Sequence, residues 1–437
     1  MSRGHAFAAD GAPHPPDRGL GPALAWGCYL GCSWTWVIGM FLPAILVRDY
    51  GWPGWALFAV PNVLGAAAMG FVLTGKASKL FVDKHRSACV TFSYTTLLLQ
   101  VFALGWFADT MGARGVVVLS VGTLALLVLG LIALWRTDPT HLRHGVALAV
   151  AIGAACVSLG AMSYALKLDG AWIATDPGPD DGLSAPLANG PDLLGLAGAT
   201  AFGFMLSPYL DLTFHRARIQ TDKPTGRAAF AFGFGCVFLA MIIFALAYAG
   251  IVAPFWRADR GAVAPLPSAW LVLLSLHVLL QVGVTAYFHG RELLRPRPCQ
   301  DAADHARRRY AAVVALLAML FVALLAALVR RYGVELPGYD GSLSAGEGVY
   351  RAFLLIYAVV FPSYVLIVAA PTHKPVTDAA RRTTFWVVAP IAYALACASF
   401  IFGLGPLSYA AAAAVVVGRL SLDLGLVSKR TAASPAA

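Results

Sequence analysis

Runs of about 20 apolar residues recur along the whole chain. They lie at about 22–47, 52–75, 89–108, 115–135, 145–168, 193–215, 228–254, 268–288, 310–329, 349–370, 384–402 and 405–424. A run of that length crosses the hydrocarbon of a bilayer once as a helix. Lipid offers the backbone no hydrogen bonds, so each run must satisfy its own polar groups, and a helix does so. Twelve such runs in 437 residues leave no soluble domain of useful size. Charged residues make up 12% of the chain, against about 25% in soluble domains, and mean hydropathy is +0.72. The fold class expected is an all-α polytopic membrane protein of about 12 transmembrane helices. One integral membrane domain spans 22–428, between a disordered cytoplasmic tail at 1–21 and a short cytoplasmic tail at 429–437. The first 21 residues are polar and carry Pro13, Pro15 and Pro16, so they do not read as a cleavable signal peptide.

The net charge of +10 is a topology signal rather than a nucleic-acid footprint. With twelve crossings and a cytoplasmic start, 24 of the 32 Lys and Arg residues fall on the cytoplasmic side. That bias is the positive-inside rule, and it places both termini in the cytoplasm of a bacterial inner membrane. None of the seven cysteines falls in a predicted outer loop, which argues against a disulfide framework. Cys28 and Cys32 are one helical turn apart, but no His/Cys cluster lies near them in sequence, so they read as small packing residues and no metal site is expected.

Two irregularities organise the twelve runs. The only long outer connection, 169–192, follows the fifth run, which divides the chain as five, five and two. The first and sixth runs are also both interrupted. The first holds "GCYLGCSWTWVIGMFLP" (27–43) and the sixth "GFMLSP" (203–208). Five crossings apart, these two helices run in opposite directions. Interrupted helices at matching places in inverted halves are the best sequence pointer to a transporter's binding site.

The stretch from Cys32 to Leu73 is a polar, glycine-bearing helix, a Gly-Trp outer turn and a helix with glycine at its middle. It resembles the first two core helices of the sodium:solute symporters, a branch of the APC superfamily that shares the leucine-transporter fold. The stretch 202–218 occupies the place of that fold's second broken helix. The resemblance implies a 5+5 inverted repeat with broken helices 1 and 6, two extra C-terminal helices, and secondary active transport. It departs from the family in one respect. Sodium-coupled relatives offer neighbouring hydroxyls from the eighth helix, and no Ser/Thr pair occurs between 270 and 288. Either Na+ or H+ therefore remains open as the coupling ion, and no other cofactor is expected.

The candidate site residues follow from depth and polarity. Gly31, Cys32, Ser33 and Trp36 lie at the first interruption, with Thr35 among them. Gly203 and Ser207 lie at the second, where Ser207-Pro208 reads as an N-cap followed by the first helical residue. His277 is near the centre of the eighth run, with Gln281 and Thr285 following at one-turn spacing on the same face. Polar groups at that depth face the bundle interior. These residues are candidates for substrate binding. Asp211, His277 and Thr285 are the candidates for ion or proton coupling; Asp211 is the only carboxylate clearly inside an apolar run.

The chain is not expected to be an enzyme. "TGKAS" (74–78) lacks P-loop spacing, and "FGFGCV" (232–237) is too short for a dinucleotide fingerprint. The expected function is ion-coupled symport of a small polar organic solute by alternating access. The alternatives are a membrane enzyme on a lipid-linked substrate using Asp211 and His215, a 6+6 facilitator, and a solute sensor that does not transport. The expected partners are the solute and the bilayer. The sequence does not specify an oligomeric state.

Overall fold

A computed structural model describes residues 16–110, 122, 144–168, 191–252, 267–295 and 345–426. The expected fourth crossing (115–135) apart from residue 122, the expected ninth (310–329), most of the 169–192 connection and Cys299 lie outside the described residues. Within them the chain is helical, with no strand and one isolated bridge pair, Asp17 with Thr221. Eight helices are long and apolar enough to cross a membrane.

The elements are α1 (Leu20–Trp34), α2 (Val37–Val72), α3 (Gly75–Thr110), α4 (His144–Ala165), α5 (Leu193–Leu206), α6 (Leu212–Gln220), α7 (Lys223–Val252), α8 (Ser268–Leu294), α9 (Gly346–Ala369), α10 (Asp378–Phe400) and α11 (Leu407–Asp423). At 36 residues, α2 is about 54 Å long, nearly twice a bilayer core. It is two crossings joined at Gly51, where φ is 65° and ψ is −161°. That positive φ suits glycine, and Pro53 pre-sets the first turn of the second leg.

Hydrogen bonds between distant segments order the ends. Asp17 N donates to Gln220 O, Gly19 N to Thr225 Oγ1 and Arg218 Nε to Leu73 O, so the start of α1, the end of α2 and the α6–α7 joint share one end of the molecule, the near end. At the far end, Tyr50 Oη donates to Pro191 O and Arg351 pairs with Asp49. The crossing built from α1 and the first leg of α2 therefore runs near to far, and the crossing built from α5 and α6 runs far to near. The two interrupted crossings are antiparallel, as the inverted repeat requires. Leu20, not residue 22, opens the first helix, and residues 16–19 of the expected tail are tied to the α6–α7 joint.

The crossings pack closely through glycine. A Cβ on Gly27 would lie 2.5 Å from Phe232, one on Gly31 2.6 Å from Val237, and one on Gly233 2.7 Å from Gly27 O. Small residues let membrane helices approach backbone to backbone. "FGFGCV" thus serves as the α7 side of the α1 seam, where Gly233–Phe238 forms a π turn.

The α6–α7 joint is capped by Asp222, which accepts from Thr225 N at 2.9 Å. Bonds from Thr225 hold its carboxyl below the usual range. A lowered carboxyl contributes stability above its unfolded pKa and loses it as pH falls through the folded value. Asp222→Asn is expected to lower Tm slightly at pH 7 and to match wild type once the pH is below that value, in a melt series over pH.

Candidate functional site

Both interruptions are resolved. α1 ends at Trp34, and Thr35 (ψ 62°) and Trp36 (ψ −170°) are non-helical before α2 begins. Thr35 returns its N–H and its hydroxyl to Gly31 O, at 2.9 and 2.8 Å, so the exposed carbonyl is satisfied. On the opposing crossing, α5 ends at Leu206, Ser207–Leu210 make a single 3₁₀ turn, and Asp211 is extended (ψ 115°).

This corrects the expected restart. The helix does not resume at Pro208 with Ser207 as its cap. Pro208 is absorbed into the 3₁₀ turn as its second residue, and Asp211 caps α6 by accepting from Thr213 N at 2.7 Å. Ser207 instead donates its hydroxyl to Tyr357 O of α9 at 2.6 Å. Tyr357 lies in a π turn, Ile356–Val360, and such turns recur at functional sites.

Between the two interruptions lies a tightly packed seam lined by Trp34, Trp36, Ile38, Gly39, Asn62, Phe204, Ser207 and Tyr357. The space is too narrow for a water molecule. Aromatic rings form most of its wall: Trp36 meets Tyr357 edge-on at 4.8 Å, and Trp34 donates Nε1 to Asn62 Oδ1. Of the expected site residues, the structure brings Trp36 and Ser207 to this seam. Gly203 lies behind it, where a Cβ would meet Ala358 at 2.8 Å.

The others lie elsewhere. Gly31 packs on Val237, and Cys32 Sγ points at Ala151 O. Thr285 donates to Cys32 O at 3.1 Å, tying α8 to the end of α1. His277 Nδ1 and Gln281 Nε2 both reach Ser158 Oγ of α4, at 3.1 and 2.8 Å, so they sit in the α4–α8 seam away from the cavity. The opposite atoms, His277 Nε2 and Gln281 Oε1, have no hydrogen-bond partner among the described residues. Asp211 is fully buried one layer nearer the near end. Its Oδ1 accepts from Thr213 N and Oγ1, and that hydroxyl lies 3.2 Å from Ser33 Oγ of α1. Ser33 therefore meets the opposing crossing below the seam. His215 bonds Tyr209 O through Nε2 and stacks on Phe81, so it does not form an acid/base pair with Asp211.

Charges close the bundle on both sides of the seam. At the far end Arg48, Asp49, Glu347 and Arg351 form one buried network. Arg48 holds Glu347 through two bonds, at 2.6 and 2.9 Å, and Asp49 at 2.8 Å. Arg351 donates to Asp49 at 2.5 Å and to Glu347 at 2.7 Å. Toward the near end Arg216 of α6 grips Glu292 of α8 through three contacts of 2.8–3.0 Å.

Sequence reasoning missed the far-end network and His289. His289 is fully buried, with Nδ1 3.0 Å from Ser93 Oγ and Nε2 3.9 Å from Asp211 Oδ2. The signal for His289 was present: 277, 281, 285 and 289 are successive rungs, four residues apart, on one helix face.

No family model matches the chain, and no curated protein matches it in sequence. Among solved structures it is similar to a Na+-coupled sialic acid symporter in a substrate-bound, outward-open state. The match covers 92% of this chain and 90% of that one, at a TM-score of 0.55 and 11% identity. The two chains share a fold. At that identity the likeness extends to architecture and not to ligand.

Proposed function

We propose that this chain is a secondary active transporter that moves a small polar organic solute by ion-coupled symport and alternating access. The observation that carries this reading is the closed seam between two antiparallel interrupted crossings, shut by buried charges on either side. With its rings in contact the seam is closed to both membrane faces, and parting the crossings at one end at a time would admit a solute from one side only, as alternating access needs. The symporter fold supports the same reading. The lining carries no ionisable acid or base other than Tyr357, so the solute is uncharged or internally neutral, with an apolar face for the rings of Trp34, Trp36 and Tyr357. By the positive-inside bias the near end faces the cytoplasm of a bacterial inner membrane, and 22–428 is one transport domain between cytoplasmic tails.

The test starts from stability. The purified chain is screened by thermal shift against neutral and zwitterionic solutes, in sodium, potassium and choline salts. A solute that binds the folded state raises Tm by mass action. The shift is expected to disappear in Trp36→Ala, and the solute to be taken up by proteoliposomes under an ion gradient. Binding without gradient-driven uptake would overturn transport in favour of sensing.

A further inference from the structure

Asp211 and His289 face one another across a gap that nothing fills. Both side chains are fully buried. Asp211 Oδ2 and His289 Nε2 are 3.9 Å apart, and among the described residues neither atom has a hydrogen-bond partner. The gap is too long for a hydrogen bond and too short for a bridging water, which needs about 4.5 Å between its two partners. A shift of about 1 Å by either side chain closes it. Among the described residues, His289 is the only ion-pair partner of Asp211 within 4 Å.

Around the pair, among the described residues, lie mostly neutral polar groups. α1 contributes Tyr29 and Ser33, α3 contributes Cys89 and Ser93, and α9 contributes Tyr357. On α6 are Thr213 and His215, the latter held by Tyr209 O. Arg86 of α3 lies near Cys89. One turn beyond His289 is Glu292, which belongs to Arg216, with Arg291 and Arg295 beside it. An ionised Asp211 beside a neutral imidazole leaves one negative charge in a fully buried place, and such a charge is costly until it is paired or protonated.

We infer that Asp211 and His289 form a proton-binding dyad that takes up and releases one proton in each transport cycle. This rests on the transport reading above and names its coupling ion. The incoming proton bonds to Oδ2 or Nε2, whichever carries the lone pair, and the net charge of the pair goes from −1 to 0. Release to the other side restores the lone pair.

The location links that proton to movement. Asp211 is the N-cap of α6, and its charge favours the positive end of that half-helix. Protonation removes the charge and weakens the bonds from Thr213, so it loosens the joint between the two halves of the interrupted crossing. Phe92 joins the two sites: its ring is 6.4 Å from that of His289 and 5.2 Å from that of Tyr357 in the seam wall. One layer of rings thus separates solute from proton.

The experiment is infrared difference spectroscopy on the purified full-length chain, stepped from pH 9 to pH 5 in potassium salts. A protonated-carboxyl band is expected to grow as the pH falls and to be missing in Asp211→Asn. His289→Gln and Ser93→Ala are expected to move its midpoint by one pH unit or more, a tenfold change in proton affinity. Ser93→Ala leaves both members of the dyad in place, so it tests the pair even if a dyad variant fails to fold. A band that survives Asp211→Asn, or no band anywhere in the range, overturns the dyad. So does a band that sodium chloride abolishes at fixed pH, since the site would then hold a metal cation. A dyad that titrates in a chain with no solute uptake would sink the transport reading and leave the dyad standing. Uptake that persists unchanged in Asp211→Asn would do the reverse.

Discussion

Glu347→Gln is expected to cost about 3–5 kcal/mol of closed-state stability, the range for breaking a buried ion pair from one side. Glu347 is the shared acceptor of Arg48 and Arg351, and it is fully buried. Its loss leaves two guanidiniums with Asp49 between them in an interior that cannot solvate either. The measurement has two readouts. Tm should fall, and a cysteine at Thr200, on the pocket lined by α2, α5 and α9, should become open to maleimide in a cysteine-free background. A paired replacement of Glu347 and Arg351 by methionine should cost less than either single change, because it removes the stranded charge as well as the bond. Unchanged Tm and labelling in Glu347→Gln would show that the network does not hold the far end shut.

The second large effect is expected at Gly65. A Cβ there would lie 2.5 Å from Met205 Cα and 2.5 Å from Phe204 O, which are backbone atoms of α5 just before the interruption. Backbone cannot swing aside as a side chain can. Gly65→Ala must push α5 off α2, at about 1–3 kcal/mol as for other overpacked cores. Phe204 also lines the seam, so solute affinity should fall along with Tm. Two controls fix the cause. Gly198→Ala meets only Ala412 Cβ, at 4.0 Å, and should cost less, and Gly105→Ala meets nothing within 4 Å and should be near neutral. Equal losses at all three positions would attribute the effect to glycine in general and not to this contact.

The architecture was legible in the sequence because the bilayer demands it. Helix-length apolar runs and the bias of Lys and Arg are imposed by lipid on any chain that crosses it repeatedly. The two interruptions were legible because glycine and proline act locally: Ser207-Pro208 marked the break in the sixth crossing to within one turn. The choice of cap was not. Ser207 and Asp211 are both good caps, and what decides between them is Tyr357 O, which claims the Ser207 hydroxyl from 150 residues away.

The seam was only half legible, for the same reason. Trp36, Phe204 and Ser207 sit at the breaks, but Asn62 and Tyr357 reach the seam from the second leg of α2 and from α9. The spacing of His277 and Gln281 puts them on one helix face but says nothing of which neighbour that face turns toward. Ser158 settles that. The far-end network was hidden by its own sequence. Arg48-Asp49 reads as a solvated turn until Glu347 is brought to it by the fold.

The far-end network separates along a line that leaves each side whole. Arg48 and Asp49 travel with α2, and Glu347 and Arg351 with α9, and each couple is bonded within its own helix. Parting them exposes two zwitterions and no naked ion. Moving one elementary charge through the field across a membrane takes about 2.3 kcal/mol per 100 mV, whereas moving a zwitterion takes almost none. On the proposed transport reading, opening this end is therefore blind to membrane voltage, and any electrical sensitivity would come from what the protein carries.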